Sequence, residues 1–194
     1  MHLRISSTKQ YSRLARRKII KGAVNRTFKA YWFDYCHLKT GSTAMDKKDF
    51  VIRKMTAEDI NAVAEIEKIC FSSPWTKEGL EAELTNPQAE FFVLETEGTV
   101  AAYMGMHIVL DECYIANVAV SPDFRKRGYG QLLVENALCV AREKSCYFIT
   151  LEVRVSNLPA ISLYKKCGFD EVGERKNFYS APTENALIMT RYFN

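Results

Sequence analysis

Two stretches of this chain carry residue types and spacings that could do chemistry. The first is residues 118–138, V-A-V-S-P-D-F-R-K-R-G-Y-G-Q-L-L-V-E-N-A-L. An apolar strand is expected to end at Val120. A polar loop follows, with cations at Arg125 and Arg127 and glycines at Gly128 and Gly130. A helix then begins at once, since Leu132, Leu133, Ala137, Leu138 and Ala141 return at helical spacing. This is the local design of an anion site. The first N–H groups of a helix lack intrahelical partners and sit at the positive end of its dipole. Glycines let the loop backbone come close to a phosphate. Basic side chains add charge, and arginine can grip two oxygens at once. On its own R-K-R-G reads equally well as a solvated turn. The patterns G-x-x-x-x-G-K-[ST] and G-x-G-x-x-G are both absent. What remains is Arg125-x-x-Gly128-x-Gly130 between a strand and a helix.

The second stretch is I-T-L-E-V-R-V-S-N at 149–157. Glu152 stands in the middle of a strand built from Ile149, Leu151, Val153 and Val155. A lone carboxylate avoids such surroundings, because burying its charge costs several kcal/mol, on the order of ~3–5 when unpaired. Glu152 is therefore a candidate functional residue. Simple alternation is the other reading: Glu152 and Arg154 would then face water on one side of the strand.

The elements that must hold these groups can be read in order. Residues 50–55 suit a short strand. Thr56 and Asp59 form a variant capping box for a helix through Cys70, with Ile60, Val63, Ala64, Ile66, Glu67 and Cys70 alternating between a buried and a wet face. A turn, F-S-S-P-W, leads to a second helix that ends near Asn86-Pro87. Residues 91–95 and 100–110 read as strands around the Glu97-Gly98 turn, and 113–120 as the strand that delivers the glycine loop. A helix over about 128–144 and a strand over 147–155 follow. Ser156 and Asn157 cap a further helix with Pro159 in its first turn, and Gly168 ends it. Strands at 169–175 and 186–192 close the chain. The order β-α-α-β-β-β-α-β-α-β-β predicts a mixed sheet with helices on both faces.

The 194 residues fit one domain with some surplus, and 47% apolar content is enough for a core. No apolar run approaches the ~18 residues of a membrane span. Six cysteines without a C-x-x-C pair read as buried free thiols in a reducing cytosol, and His2, His37 and His107 are too scattered for a metal site. The net charge of +4 hides a split. Residues 1–45 hold ten Lys/Arg and one acid, a net +9, and the remainder holds seventeen Lys/Arg and twenty-two acids, a net −5. The folded part is thus acidic outside its basic loop, which suits a basic substrate. Residues 1–45 are expected to be a poorly ordered basic extension ahead of a domain at 46–194. They admit three readings: an amphipathic helix that touches RNA, a ribosome or a membrane surface; an organelle-targeting peptide; or an upstream extension of a protein that starts at Met45.

Taken together, these segments resemble the GNAT family of N-acetyltransferases, and within it the ribosomal-protein-alanine branch. The resemblance covers about residues 50–192. It rests on the Arg125-x-x-Gly128-x-Gly130 loop, Pro74-Trp75, V-L-D-E at 109–112, N-V-A-V at 117–120, and L-E-V-R-V-S-N-L-P-A-I-S-L-Y-K-K-C-G-F at 151–169. It implies an α/β (α+β) acyl-CoA N-acyltransferase fold, with a central sheet of about seven strands and helices on both faces. It implies acetyl-CoA as co-substrate. Main-chain groups of Val118, Ala119 and Val120 would meet the pantetheine arm. Lys126, Arg127, Gly128, Tyr129, Gly130 and Gln131 would hold the pyrophosphate, with Arg125 at the first position of the motif. Asn157 matches a cofactor contact, although it reads equally as a helix cap.

In the same resemblance Glu152 is the general base and Tyr164, twelve positions on, the general acid. By itself Tyr164 reads as a helical tyrosine packed beside Ile161 and Cys167. An N–H near Val118, on a strand expected to bulge or splay, would meet the oxyanion. The implied acceptor is the N-terminal alanine of a ribosomal protein, small-subunit protein eighteen, with Trp75, Asp111 and Glu112 lining its groove. No metal is implied, because a thioester is already activated. No direct nucleic acid is expected to be needed for catalysis, no membrane partner is expected, and the protein is expected to be a cytoplasmic monomer. Two alternatives stand beside this: the same fold acting on lysine side chains, polyamines or another small amine, and a non-catalytic CoA-binding module with an RNA-binding extension.

Overall fold

The computed structural model describes residues 50–193; the basic extension of residues 1–45, with its three readings, lies outside them. In chain order the elements are β1 (Phe50–Lys54), a 3-10 turn (Ala57–Asp59), α1 (Ile60–Cys70), α2 (Lys77–Leu84), β2 (Ala89–Thr96), β3 (Thr99–Val109), β4 (Glu112–Val120), a second 3-10 turn (Pro122–Phe124), α3 (Tyr129–Glu143), β5 (Phe148–Arg154), α4 (Leu158–Lys166), β6 (Asp170–Ser180) and β7 (Thr183–Tyr192). The seven strands form one sheet in the order β1-β2-β3-β4-β5-β7-β6. All neighbours are antiparallel except β4 and β5.

Helices cover both faces. On one, Leu133, Val134, Ala137 and Leu138 of α3 and Ile161 of α4 pack on Met104, Ile115, Ile149 and Leu151. On the other, Val63 and Ile66 of α1 and Leu80 of α2 pack on Phe91, Val93, Tyr103 and Ala119. Each Val, Leu, Ile, Met or Phe among them, fully buried, contributes about 1.5–3 kcal/mol. β3 lies between the layers and is buried without a break from Ala101 to Met106. Gly105 is obligatory there, because a Cβ would stand 2.4 Å from the Phe91 ring.

Two boundaries differ from expectation. The helix expected at Thr56 opens as a 3-10 turn, because Asp59 is held from two sides: it accepts from the Thr56 N–H at 2.8 Å and from Arg53 at 2.7 and 2.8 Å. The last two strands are longer than expected, reaching Ser180 and starting at Thr183. β6 is exposed along nearly its whole length, so no burial alternation marks its extent. Main-chain pairing with β7 sets it, with register shifts between Glu171 and Gly173 and between Arg175 and Tyr179.

Candidate active site

The sheet opens between β4 and β5. These strands pair only at Glu112 with Phe148, Cys113 with Ile149 and Tyr114 with Thr150. β5 stays bonded to β7 along its whole length, and β4 stays bonded to β3. Residues 115–120 therefore present a strand edge with no strand across from it. A bulge directs the parting. Gly105 faces Asn117 and Met106 faces Ile115, which leaves Ala116 without an opposite number. One extra residue reverses the phase of the side chains and turns the strand. Cys113 and Ile115 point to the α3/α4 layer before it; Val118 and Val120 do so after it, while Ala119 joins the α1/α2 layer. An open row of N–H and C=O groups is a template for an extended ligand.

The glycine loop lies at the end of that edge. Lys126 and Gly128 have φ of 61° and 81°, and Gly128 is the N-cap of α3 without any side-chain cap. The first N–H groups of α3 thus carry no side-chain acceptor, as an anion site requires. At Gly130 a Cβ would come within 3.2 Å of Leu163 and 3.6 Å of Val120, so glycine lets α3 start against both α4 and β4. The two arginines brace the loop itself. Arg125 donates to the Val120 carbonyl at 3.1 Å and meets the Cys70 sulfur at 3.4 Å. Arg127 donates to the Asp123 carbonyl at 3.2 Å and stacks on Phe124. Lys126 is exposed. The Tyr129 ring is buried against Phe50, so this residue offers an anion only its main chain. Gln131 donates to Glu135 at 2.9 Å, and Asn157 caps α4 by accepting from the Ala160 N–H at 3.3 Å.

Glu152 and Tyr164 lie on opposite sides of β5. Ile149, Leu151 and Val153 point into the α3/α4 core, so Thr150, Glu152 and Arg154 point to the other face. The Glu152 side chain is 32% exposed and accepts from Arg175 at 2.7 Å. Tyr164 is 8% exposed inside the α3/α4 core, with its ring 5.8 Å from that of Phe169. Its neighbour Leu163 touches the start of α3 at Gly130. Burial first, then the nearby Tyr179 and Cys167, lifts the Tyr164 phenol well above the ordinary tyrosine range. Tyr179 joins the two sides. Its hydroxyl donates to the Glu152 carbonyl at 3.3 Å, and burial pushes its own pKa up to about 12.

Arg154 ties β5 to two loops. It pairs with Glu184 at 2.9 Å, donates to the carbonyls of Ala181 and Pro182, stacks on Tyr179 and reaches Ser72 at 3.4 Å. The end of α1 and the loop after it therefore reach both strands, since Cys70 contacts the Val120 carbonyl on the β4 side. Trp75 belongs to this loop. Its N–H donates to Glu67 at 2.7 Å and its ring lies 5.9 Å from Phe91.

Asp111 and Glu112 are not brought to the opening, contrary to the expectation that they line an acceptor groove. Glu112 begins β4 at its paired end, six residues or roughly 20 Å of strand before Val118, and Asp111 lies in the turn before it. The Asp111 carbonyl accepts from Tyr147, and the Glu112 carboxylate from the Tyr114 hydroxyl. The walls beside Glu152 are instead the α1–α2 loop and the β6–β7 hairpin. Arg154, Arg175, Tyr179 and Asn117 were not singled out as site residues from sequence. Glu67 carried one signal, a carboxylate on the buried stripe of α1.

A model of the Acetyltransferase (GNAT) family matches residues 60–169. The chain belongs to the GNAT family. This GNAT domain is 44% identical over 144 residues to a Bacillus subtilis (strain 168) protein provisionally named a ribosomal protein bS18-alanine N-acetyltransferase, covering 74% of this chain and 95% of that one. It is 33% identical over 143 residues to the Escherichia coli (strain K12) ribosomal protein bS18-alanine N-acetyltransferase, covering 71% of this chain and 94% of that one. A crystal structure of the ribosomal-protein-S18-alanine N-acetyltransferase from Escherichia coli shares the fold with a TM-score of 0.69 at 31% identity, covering 74% of this chain and 94% of the other. The seven-stranded mixed sheet with helices on both faces is therefore the GNAT fold.

Proposed function

We propose that this GNAT enzyme transfers the acetyl group of acetyl-CoA directly to the N-terminal alanine of ribosomal protein bS18, with Glu152 as general base and Tyr164 as general acid. The named relatives support the acceptor. The observation that supports the chemistry is the unpaired β4 edge, which ends beside an uncapped helix start.

In this reading the N–H groups of residues 128–131, aided by Lys126, bind the pyrophosphate, and the edge at Val118, Ala119 and Val120 bonds the pantetheine arm as a further strand. Arg125, Arg127 and Asn157 act on the cofactor chiefly by shaping the loop and the start of α4 around it. Trp75 and the β6–β7 hairpin wall the acceptor. A free α-amine has a pKa near ~8 and must lose a proton to attack. Glu152 accepts that proton, directly or through one water, as the nitrogen–carbon bond forms. A main-chain N–H at the bulged edge near Val118 bonds the oxyanion. The carbon–sulfur bond then breaks, and Tyr164 gives its proton to the departing thiolate; its raised pKa keeps that proton in place at neutral pH. Glu152 and Tyr164 afterwards exchange one proton through water, which restores both. Acting as a monomer in the cytoplasm completes the reading; among the described residues no helix is long and apolar enough to cross a membrane.

Intact-mass measurement of bS18, or of a peptide with its N-terminal sequence, after incubation with acetyl-CoA tests this. One acetyl group on the N-terminal alanine is the expected product. Acetylation of lysine side chains or polyamines, with none at the alanine, would overturn the acceptor assignment.

A further inference from the structure

Outside the residues assigned to the transfer, one buried ionisable group stands apart. Glu67 lies in the last turns of α1 and is 0% exposed. Three donors from three different parts of the chain converge on it. The Trp75 N–H donates to one carboxylate oxygen at 2.7 Å. The Asn117 amide donates to the other at 2.7 Å, and the Tyr103 hydroxyl donates to that same oxygen. Asn117 and Tyr103 are themselves 3.0 Å apart. No lysine or arginine neutralises the group in this set. Burial lifts its pKa above the ordinary carboxylate range, and the Trp75 and Asn117 donors pull part of that back.

The partners give this cluster its meaning. Asn117 is the residue that faces Gly105 just after the bulge, and it precedes Val118 on the open edge. Trp75 ends the loop after α1; Cys70, the last residue of α1, and Ser72 in the loop touch Val120 and Arg154 on the two sides of the opening. One carboxylate thus fixes both the strand that turns away from β5 and the loop after α1. An ionised carboxylate is acceptor-only, with about four lone-pair directions, and suits a set of three donors. Unsatisfied donors in this buried place would each be costly, so without Glu67 the loop and the bulge have reason to rearrange.

We propose that Glu67 is a positioning residue for acetyl transfer, which sets the acceptor loop through Trp75 and the bulged β4 edge through Asn117. The inference rests on the reading of the opening as the transfer site, but not on which amine is the acceptor. It assigns Glu67 no proton-transfer step.

The test uses the full chain carrying Trp32→Phe, so that Trp75 is the sole tryptophan. In this background Glu67→Ala is expected to raise the acceptor KM at least ~10-fold and lower kcat by about the same factor, because misplacement of reacting groups is felt steeply in the rate. The Kd for CoA, read by calorimetry, should rise clearly less than the acceptor KM, since the phosphate loop is built from other residues and only the pantetheine edge is disturbed. Trp75 emission should shift to the red and its acrylamide quenching should rise. Glu67→Gln keeps the volume but puts an NH2 among donors, so it should show the same split at smaller size; it decides the matter if the alanine variant does not fold. A carboxylate that merely held the fold together would lower Tm while leaving KM, kcat and Trp75 emission as in the parent, and that result would overturn the proposal. Equal losses in CoA affinity and acceptor KM would overturn it as well. If the parent acetylates another amine and not the N-terminal alanine, the acceptor assignment fails, and the same measurements on that amine still judge Glu67.

Discussion

Arg175 on β6 grips the carboxylate of Glu152 on β5 at 2.7 Å, and the ring of Phe178 backs its guanidinium at 4.5 Å. The candidate base is therefore held in place from the hairpin next door. Glu152→Gln should lower kcat by about 10²-fold or more, the usual contribution of a positioned base, and leave the Kd for CoA nearly unchanged. Arg175→Met keeps the base but frees it, so a smaller loss of about 10-fold in kcat is expected. Steady-state kinetics beside calorimetry would check both; a fully active Glu152→Gln enzyme would reassign the base.

Tyr164→Phe removes one hydroxyl and keeps the ring beside Phe169. A kcat loss of roughly 10²-fold with little change in Tm is expected. The wild-type pH profile offers a second check. Because the folded phenol holds its proton above the ordinary tyrosine value, the rate should not decline on the alkaline side at about pH 10, where a solvent-exposed tyrosine would ionise. A decline near pH 10 that vanished in Tyr164→Phe would contradict the raised pKa, while a Tyr164→Phe enzyme with unchanged kcat would contradict the assignment.

Cofactor affinity should be lost by substitutions that add only carbon to the loop. Gly128→Ala forces a side chain into φ of 81°, at about 1–2 kcal/mol. Gly130→Val drives a side chain toward Leu163 and Val120. Each should weaken CoA binding about 10-fold, while Lys126→Ala should weaken it less and with greater dependence on salt. Calorimetry at two ionic strengths reads these effects.

The Arg53–Asp59–Glu95 cluster makes a prediction about stability. Asp59 is 4% exposed, and its hydrogen bonds to Arg53 hold its carboxyl below the ordinary value. A folded pKa lower than the unfolded one contributes stability that is fully present above the unfolded value and is lost as pH falls through the folded value. Denaturant unfolding should therefore show the wild type losing its advantage over Asp59→Asn as the pH drops below about 4. At neutral pH that difference should be about 1–2 kcal/mol, given that water still reaches Arg53. A constant gap across the acid range would exclude this origin.

Much of the frame is legible in the sequence because periodicity and turn chemistry are local. The eleven helices and strands follow the expected order, and Gly128, Asn157 and Gly168 mark the boundaries their backbone preferences suggest. The strand, glycine loop and helix start of 118–138 are legible for the same reason, as they lie within about twenty residues of one another. The acceptor side is not. Arg175 meets Glu152 across 23 residues, Arg154 meets Ser72 across 82, and Asn117 meets Glu67 across 50. Asp111 and Glu112 illustrate the converse. Two acids in a turn look available for a basic tail, but nothing local tells at which end of the sheet a turn will sit.

With only three residue pairs between β4 and β5, the molecule is two half-sheets, β1 to β4 and β5 with β7 and β6, riveted at Tyr114 and Thr150 and left to yawn above the rivet. An extended molecule seated there becomes the missing plank. Its main-chain groups would bridge the two half-sheets above the last strand pair.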